Sequence, residues 1–230
     1  MNATSYERPL SSVDNVPLTI HRDALCVVLA DRRVEPHVGE RALIGGWVRV
    51  EEDESCGAAA RRVLADKAGM TDIYVEQLST FSGPKRDPRG WSMTVAYYSL
   101  VPIASIQDVL LRPDLHVVPV EEATALPFDH DEIVAAAVRR IRGKGAYSDL
   151  PARLLPPEFS LGELHRAYEC VLGETIDYSA FRRKIADREF LEKIDGLMKT
   201  VEGADRPSQA YRLRGGIHDT GSVAIFDRRF

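Results

Sequence analysis

Short apolar segments separated by polar loops dominate the N-terminal part of the chain. Residues 24–30 (ALCVVLA) form a continuous apolar run of strand length, which predicts a buried β-strand. Residues 73–80 and 92–101 also have strand character, the second being rich in β-branched and aromatic residues, and residues 116–120 predict a further short strand. Residues 131–141 have apolar positions at helical spacing, so an α-helix is expected to close this part.

A helix between these strands has clear start and stop signals. Ser55 or Asp53 can cap its N-terminus, alanines favour its interior, and Gly69 suits the left-handed position that ends helices. Gly45 and Gly46 precede this helix and follow a short apolar segment. Paired glycines permit positive φ angles and the close approach of a ligand.

The C-terminal part is predicted to be separate and to begin with two helices. Residues 143–157 contain three prolines and two glycines, which predicts a linker. Ser160 and Glu163 form the sequence signature of a capping box, which opens a helix that Gly173 stops. After a short turn, residues 178–187 predict a second helix, so the pair has the arrangement of a helix-turn-helix.

Two strands are predicted to follow the second helix. Residues 190–194 and 206–213 are separated by a polar stretch and together predict a hairpin wing. The helix is expected to bury Phe181 and Ile185 and to expose donors suited to guanine edges and phosphate oxygens, although cations on a helix are also compatible with a merely solvated face. The candidate DNA-binding residues are Ser179, Arg182, Arg183, Lys184 and, at the tip of the wing, Arg206.

The length and composition of the chain predict its number of domains and its cellular compartment. The 230 residues are 44% hydrophobic and 28% charged, which is typical of a globular protein with room for two domains. We predict domains over residues 1–147 and 148–230. No apolar run could span a bilayer, and residues 1–17 lack the apolar core of a signal peptide. These first residues are predicted to form a loosely docked lead-in, and the protein to be cytoplasmic without a membrane partner.

The distribution of charge and the cysteine content limit how this chain could bind DNA and use its thiols. The excess acid behind the net charge of −5 lies in residues 1–150, because residues 151–230 carry as many basic as acidic side chains. DNA binding by the second domain would therefore depend on a local cluster of arginines and not on bulk charge. The cysteines, Cys26, Cys56 and Cys170, are odd in number and widely spaced, so reduced thiols are expected.

The stretch GGWVRVEEDESCGAAARRVLADKAG, residues 45–69, resembles the Nudix signature G-x5-E-x7-R-E-U-x-E-E-x-G-U, in which U is a bulky apolar residue. Val63, Asp66 and Lys67 stand where the family has glutamates that hold divalent metals. Because a charged lysine repels a metal, the resemblance predicts the fold without catalytic residues or metal ligands. The matching positions are Arg62, Leu64, Gly69 and Met70.

The beginning of the same signature supplies candidate ligand contacts. Gly46 and Glu52 keep the family's five-residue gap, but nine residues separate Glu52 from Arg62 where the family has seven. The resemblance assigns ligand contacts to Gly45, Gly46 and Glu52.

A second group of candidate ligand contacts lies in the loop SGPKRDPRGW, residues 82–91. This loop resembles one found near the diphosphate and terminal ribose in Nudix proteins that bind ADP-ribose. Its cations suit a diphosphate and its tryptophan can stack on a base or ribose, although three cations in a turn are also compatible with simple solvation. The contacts predicted here are Lys85, Arg86, Arg89 and Trp91.

The two halves together resemble the NrtR family, Nudix-related transcriptional regulators of NAD metabolism. The resemblance covers about residues 20–213 and rests on the altered box, PKRDPRGW, LLPPEFSLGELHRAYECVLGETIDYSAFRRKI and RPSQAYRL. It implies an α/β (α+β) protein, with a Nudix-like α/β/α sandwich around a mixed sheet followed by a winged helix-turn-helix. It also implies a homodimer that binds a pseudo-palindromic operator in double-stranded DNA and represses genes of NAD synthesis or salvage. The effector would be ADP-ribose or a related nucleotide, with no cofactor required.

Two other functions are compatible with these residues. A Nudix hydrolase of ADP-ribose would have to use Glu52, Glu54 and Asp66 as a reduced metal set, and the valine and lysine in the box argue against it. A nucleotide-sensing adaptor would use the winged helix for protein contacts instead of DNA.

Overall fold

The computed structural model describes residues 8–186, 189–200, 207–216 and 223–225, apart from the side chain of Val109. The strands of a larger sheet are β1 (Leu10–His21), β2 (Ala24–Asp31), β3 (Arg41–Ala42), β4 (Ile44–Trp47), β5 (Tyr74–Gly83), β6 (Ser92–Leu100) and β7 (Leu115–Pro119). The helices are α1 (Cys56–Ala68), α2 (Gln107–Leu110), α3 (His130–Gly145), α4 (Leu161–Leu172) and α5 (Tyr178–Ala186). A smaller sheet contains β8 (Phe159–Ser160), β9 (Leu191–Lys199) and β10 (Ser208–Leu213). No helix in these ranges is long and apolar enough to cross a bilayer.

The larger sheet is mixed and has β1 at its centre. Its main order is β3-β2-β1-β6-β5, while β4 also pairs with β1 and β7 also pairs with β2. Strands β1 and β6 run parallel, and the other pairs are antiparallel. The buried character predicted for residues 24–30 is confirmed, because β2 has paired strands on both edges.

Helices cover both faces of this sheet. On one face α1 packs against a core that contains Val13 and Val28, and on the other α3 packs against Leu18 and Val27. The alternation of adjacent strand residues between the two faces is the pattern expected when both faces are buried. The predicted α/β/α sandwich around a mixed sheet is confirmed.

Strand β1 corrects the prediction of a loosely docked lead-in over residues 1–17 from residue 10 onward, while residues 1–7 of that prediction lie outside the described residues. Asp14 and Asn15 look like loop residues in the sequence, but both are buried. Arg86 donates to Asp14 at 3.3 Å, and the Asn15 amide donates to the Ile44 carbonyl at 3.1 Å. Polar residues can occupy a central strand here because distant residues bond to the Asp14 carboxylate and to the N–H group of the Asn15 side chain.

The C-terminal part is a winged helix, as predicted. The small sheet has the order β8-β10-β9, and it packs with α4 and α5 around a core that contains Phe159, Leu164 and Phe181. The capping box of Ser160 and Glu163 is present at the start of α4. Strand β9 runs to Lys199 and is longer than predicted, and it pairs antiparallel with β10.

The segment between the two parts is packed, so the prediction of a linker over residues 143–157 is wrong. Leu150–Leu154 forms a buried 3₁₀ helix, and Arg153 within it is only 1% exposed. The Arg153 guanidinium donates to Asp149 at 3.2 Å and lies 5.1 Å from the centre of the Tyr74 ring. Pro151 lies at the start of this 3₁₀ helix, and the helix forms a buried joint between the two parts.

Candidate functional site

A cavity of about 430 Å³ opens beside α1, where β1, β4, the loop after β5 and the start of α3 meet. We call it the N-terminal cavity. Cations outnumber carboxylates in its lining, which favours an anionic ligand. The charged lining residues are Arg32, Arg49, Arg62, Lys67, Arg86 and Arg89 together with Asp14, Asp66 and Asp87.

Gly45 and Gly46 line this cavity from within β4, and neither has a positive φ angle. The positive φ angles that paired glycines permit are therefore not used at either position. Glycine is required for space instead: a Cβ on Gly45 would lie 1.9 Å from Asp14 Oδ1, and one on Gly46 would lie 2.8 Å from Val63 Cγ2. The close approach that these glycines permit is an approach of β4 to the protein's own side chains.

Arg86 anchors the buried end of the N-terminal cavity. Its side chain is 8% exposed and donates to both carboxylate oxygens of Asp129, at 2.7 and 2.8 Å. The same guanidinium donates to Asp14 at 3.3 Å. A bidentate bond to one carboxylate and a second bond to another fix the guanidinium plane, so the loop after β5 is tied to both β1 and the start of α3.

His130 lies behind these carboxylates and is 3% exposed. Its Nδ1 accepts the backbone N–H of Leu43 at 3.1 Å, and its Nε2 lies 3.8 Å from Asp14 Oδ1. Burial lowers the pKa of His130, against the opposing effect of Asp14 and Asp129. The ring is therefore neutral, with its proton on Nε2, facing Asp14.

A second ion pair holds the start of α1. The Arg62 guanidinium donates to both oxygens of Asp53, at 2.8 and 2.7 Å, and these hydrogen bonds lower the pKa of Asp53 to about 2. Ser55 caps the helix by accepting the Ala58 N–H at 3.1 Å. Of the two caps considered from the sequence, Ser55 is thus the one used, while Asp53 positions Arg62.

The three altered positions of the Nudix signature have separate roles in the structure. Val63 is buried against Gly46, Asp66 lies 3.7 Å from Arg62, and Lys67 donates from Nζ to the Gly45 carbonyl. Burial, followed by repulsion from a nearby arginine, lowers the pKa of Lys67. Within the described ranges, no three His, Cys, Asp or Glu side chains converge as they would to hold a metal ion.

Aromatic rings and arginines form the other wall of the cavity. The Arg89 guanidinium lies 4.8 Å from the centre of the Trp47 ring, and the Arg32 guanidinium lies 4.8 Å from that of Phe128. Asp87 accepts two side-chain hydrogen bonds from Arg89, at 2.9 and 2.7 Å. Flat rings beside cations suit a ligand that has both an aromatic base and phosphate groups.

The structure brings together four of the seven predicted ligand contacts: Gly45, Gly46, Arg86 and Arg89 all line the N-terminal cavity. The other three are absent from its lining. Glu52 pairs with Arg49 at 2.8 Å, Lys85 is exposed, and Trp91 is 48% exposed.

Sequence reasoning missed several lining residues that come from other elements. Asp14 lies in the segment taken for a lead-in, Arg32 in a polar loop, and Phe128 and His130 just before and within α3. The motifs contained no signal for these positions. Only the pairing of β1 with β4 and the docking of α3 bring them to the cavity.

A candidate nucleic-acid interface lies on α5. Phe181 and Ile185 are buried, as predicted, while Ser179, Arg182 and Arg183 are exposed. Lys184 is partly buried, and Arg206 lies outside the described residues. The side chain of Asp177 accepts the Ala180 N–H at 2.7 Å and holds the N-terminus of the helix.

Comparison with known proteins assigns the family. The model of the NrtR DNA-binding winged helix domain matches residues 151–213. A protein of Acinetobacter baylyi, described as the ADPR responsive transcriptional repressor NtrR, is 34% identical over 213 residues, which cover 91% of this chain and 84% of the relative.

Solved structures of similar proteins support the same family assignment. Shewanella oneidensis NrtR complexed with a 27mer DNA has a TM-score of 0.85 and 34% identity, with 95% of this chain and 98% of that chain covered. The Nudix domain of the same Shewanella protein complexed with ADP ribose has a TM-score of 0.50 and 33% identity, with 59% of this chain and 90% of that chain covered. The chain therefore belongs to the NrtR family.

Proposed function

We propose that this protein is a transcriptional repressor that binds an operator through its winged helix and is released when ADP-ribose, or a related nucleotide, binds the N-terminal cavity. The observation that carries the proposal is the presence, in one chain, of a cation-lined cavity and an exposed arginine face on α5. Relatives similar to both parts are described as responsive to ADPR and as complexed with DNA and with ADP ribose.

The cavity has the chemistry that a nucleotide diphosphate needs. Its arginines and lysine supply charge and hydrogen-bond donors to phosphate oxygens, and Trp47 and Phe128 supply ring faces for a base or ribose. We assign effector contacts to the lining residues Gly45, Gly46, Arg86 and Arg89. Domain boundaries near residues 147 and 148 follow the same division, with the effector site before and the DNA-binding part after.

Helix α3 connects the two sites physically. Its first residue, His130, lies at the cavity, and a Cβ on its last residue, Gly145, would lie 3.1 Å from Val171 of α4. A shift of α3 on nucleotide binding would therefore move the winged helix. The repressor acts as a homodimer in the cytoplasm on genes of NAD synthesis or salvage, and a changed spacing of its two recognition helices releases a pseudo-palindromic operator.

The geometry gives the hydrolase alternative no support. Of the acids that it would require, Glu52 is paired with Arg49, and Asp66 faces Arg62. The described residues offer no cluster that could hold a divalent metal. We therefore propose that ADP-ribose is bound and not hydrolysed.

Fluorescence anisotropy with DNA from upstream of its own gene and from NAD-synthesis promoters tests this function. We expect sequence-selective, salt-sensitive binding that Arg182→Ala with Arg183→Ala weakens about tenfold or more, since both side chains are exposed and cationic. Arg139→Ala, which removes an exposed cation from α3, is the control and should leave binding unchanged.

Chromatography of ADP-ribose after incubation with the protein and Mg²⁺ completes the test. Intact nucleotide with DNA binding supports the repressor. Breakdown of ADP-ribose without DNA binding would establish the hydrolase, and neither breakdown nor DNA binding would favour the adaptor.

A further inference from the structure

In the Nudix signature, glutamates on the helix hold a divalent metal. In this chain the same positions, on α1 beside the N-terminal cavity, carry other residues. The three signature positions on α1 that would carry glutamates are Val63, Asp66 and Lys67. Only Asp66 has a metal-binding side chain, and it lies 3.7 Å from the Arg62 guanidinium. A cation next to a carboxylate competes with a metal for it, and an ammonium group repels one. The residues present do not fit a metal held by α1.

Lys67 is placed to act on a ligand directly. It lines the cavity one turn after Val63, and its Nζ donates to the carbonyl of Gly45, the glycine that approaches Asp14. An ammonium group has three donors, and the hydrogen bond to Gly45 uses one of them. Its charge therefore lies beside the backbone of β4, at the cavity.

The charge balance of the cavity leaves Lys67 and Arg32 for a ligand. Each carboxylate of the lining has an arginine beside it: Asp14 has Arg86, Asp87 has Arg89 and Asp66 has Arg62. A fourth arginine of the lining, Arg49, pairs with Glu52. Among the described residues, by contrast, neither Lys67 nor Arg32 has a carboxylate oxygen within 4.0 Å of its side-chain nitrogens.

In the part of the chain that the structure describes, Arg32 and Lys67 donate instead to backbone carbonyls alone. Arg32 donates to Pro36 at 2.8 Å and to Val34 at 3.3 Å, and Lys67 donates to Gly45. Both cations line the same cavity, and burial followed by repulsion from Arg32 lowers the pKa of Lys67. Cations that repel one another across a cavity are stabilised by an anion placed between them.

We propose that Lys67, assisted by Arg32, neutralises the diphosphate of the effector in the place of a divalent metal, so that the nucleotide binds without Mg²⁺. The proposal rests on the proposed function and specifies the chemistry of its effector site. A diphosphate diester carries one negative charge on each phosphate, which the two cations match. Binding would then depend on the protein's own charges and not on the free metal concentration.

Isothermal titration of the full-length protein with ADP-ribose, in Mg²⁺ and separately in EDTA, tests the proposal. We expect the same Kd for the wild type in both conditions. Lys67→Met should raise the Kd about tenfold or more in both, because a charge-assisted hydrogen bond is lost. Lys67→Arg, which keeps the charge, should retain binding.

Arg61→Met provides the matched control. Arg61 lies on the same helix and carries the same charge, but it points to the Ile73 carbonyl at 3.5 Å and is absent from the cavity lining. Its replacement should leave the Kd unchanged. Lys67→Glu should abolish binding in EDTA and recover part of it with Mg²⁺, since a glutamate can ligate the metal. Circular dichroism melts verify that each variant is folded.

The possible results distinguish a failure of the role proposed for Lys67 from a failure of the proposed effector function. Wild-type binding that requires Mg²⁺, or Lys67→Met that binds as well as wild type, would overturn the role of Lys67 and leave the effector role of ADP-ribose intact. Absence of ADP-ribose binding in both conditions would overturn both proposals.

Discussion

His130 illustrates how single residues in the N-terminal cavity are controlled by groups distant in sequence. Its Nδ1 accepts the Leu43 N–H at 3.1 Å, and that bond requires an unprotonated nitrogen. Burial lowers its pKa below the ordinary value of 6.5. The charged groups that act on the ring are Asp14, Asp129, Arg86 and Arg32.

This neutral histidine makes stability depend on pH. As the pH falls through about 6.5, the unfolded chain binds a proton at His130 that the folded chain excludes, so the folded state loses stability until the lower folded pKa is reached. Within that window the loss approaches about 1.4 kcal/mol per pH unit. Urea unfolding at about pH 7 and about pH 5 measures it.

His130→Gln is the comparison for this prediction, because its side-chain oxygen can still accept the Leu43 N–H but does not titrate. We expect the variant to lose less unfolding free energy than the wild type over the same range. Equal losses for the two proteins would contradict a neutral, buried His130.

At the scale of elements, helices with local end signals were predictable from sequence. Ser55 and Gly69 at the ends of α1, and Ser160 and Gly173 at those of α4, occupy the predicted caps. Caps involve hydrogen bonds between residues a few positions apart, so a single short stretch contains the whole signal. The continuous apolar run of residues 24–30 is also contained in one short stretch, and it identified a buried strand.

Elements stabilised by distant partners were not predictable. β1 contains Asp14 and Asn15, whose partners Arg86 and Ile44 are far along the chain, so its pattern resembles that of a loop. The residues that line the N-terminal cavity also differ in whether the sequence could predict them. Its glycines and loop arginines stand in motifs, whereas His130 reaches it only because α3 docks on the sheet.

The joint over Leu150–Leu154 permits a test at this scale. Arg153→Ala removes one member of a buried ion pair and leaves Asp149 buried without it, so we expect the free energy of unfolding to fall by about 3–5 kcal/mol. Urea unfolding at neutral pH measures the change.

The matching change at an exposed position is Arg139→Ala, which should alter the unfolding free energy by about 0.5 kcal/mol or less. If the two variants were equally stable, Leu150–Leu154 would not form a buried joint.

At the scale of the whole molecule, the two parts share a core. Val171 of α4 and Leu154 of the joint pack with residues of the sandwich, while Ala152 packs in the winged-helix core. Two parts joined by packed side chains can influence each other's position, whereas parts on an open linker cannot. The proposed response to nucleotide therefore has a physical route through α3 and this shared core.

Linkage supplies the most direct test of that response. If nucleotide binding weakens operator binding by some factor, operator binding must weaken nucleotide binding by the same factor. The measurement is the Kd for operator DNA with and without saturating ADP-ribose, together with the Kd for ADP-ribose with and without saturating operator. We predict that both values rise by one common factor of about 5 to 150. An operator Kd that saturating ADP-ribose leaves unchanged would contradict the account.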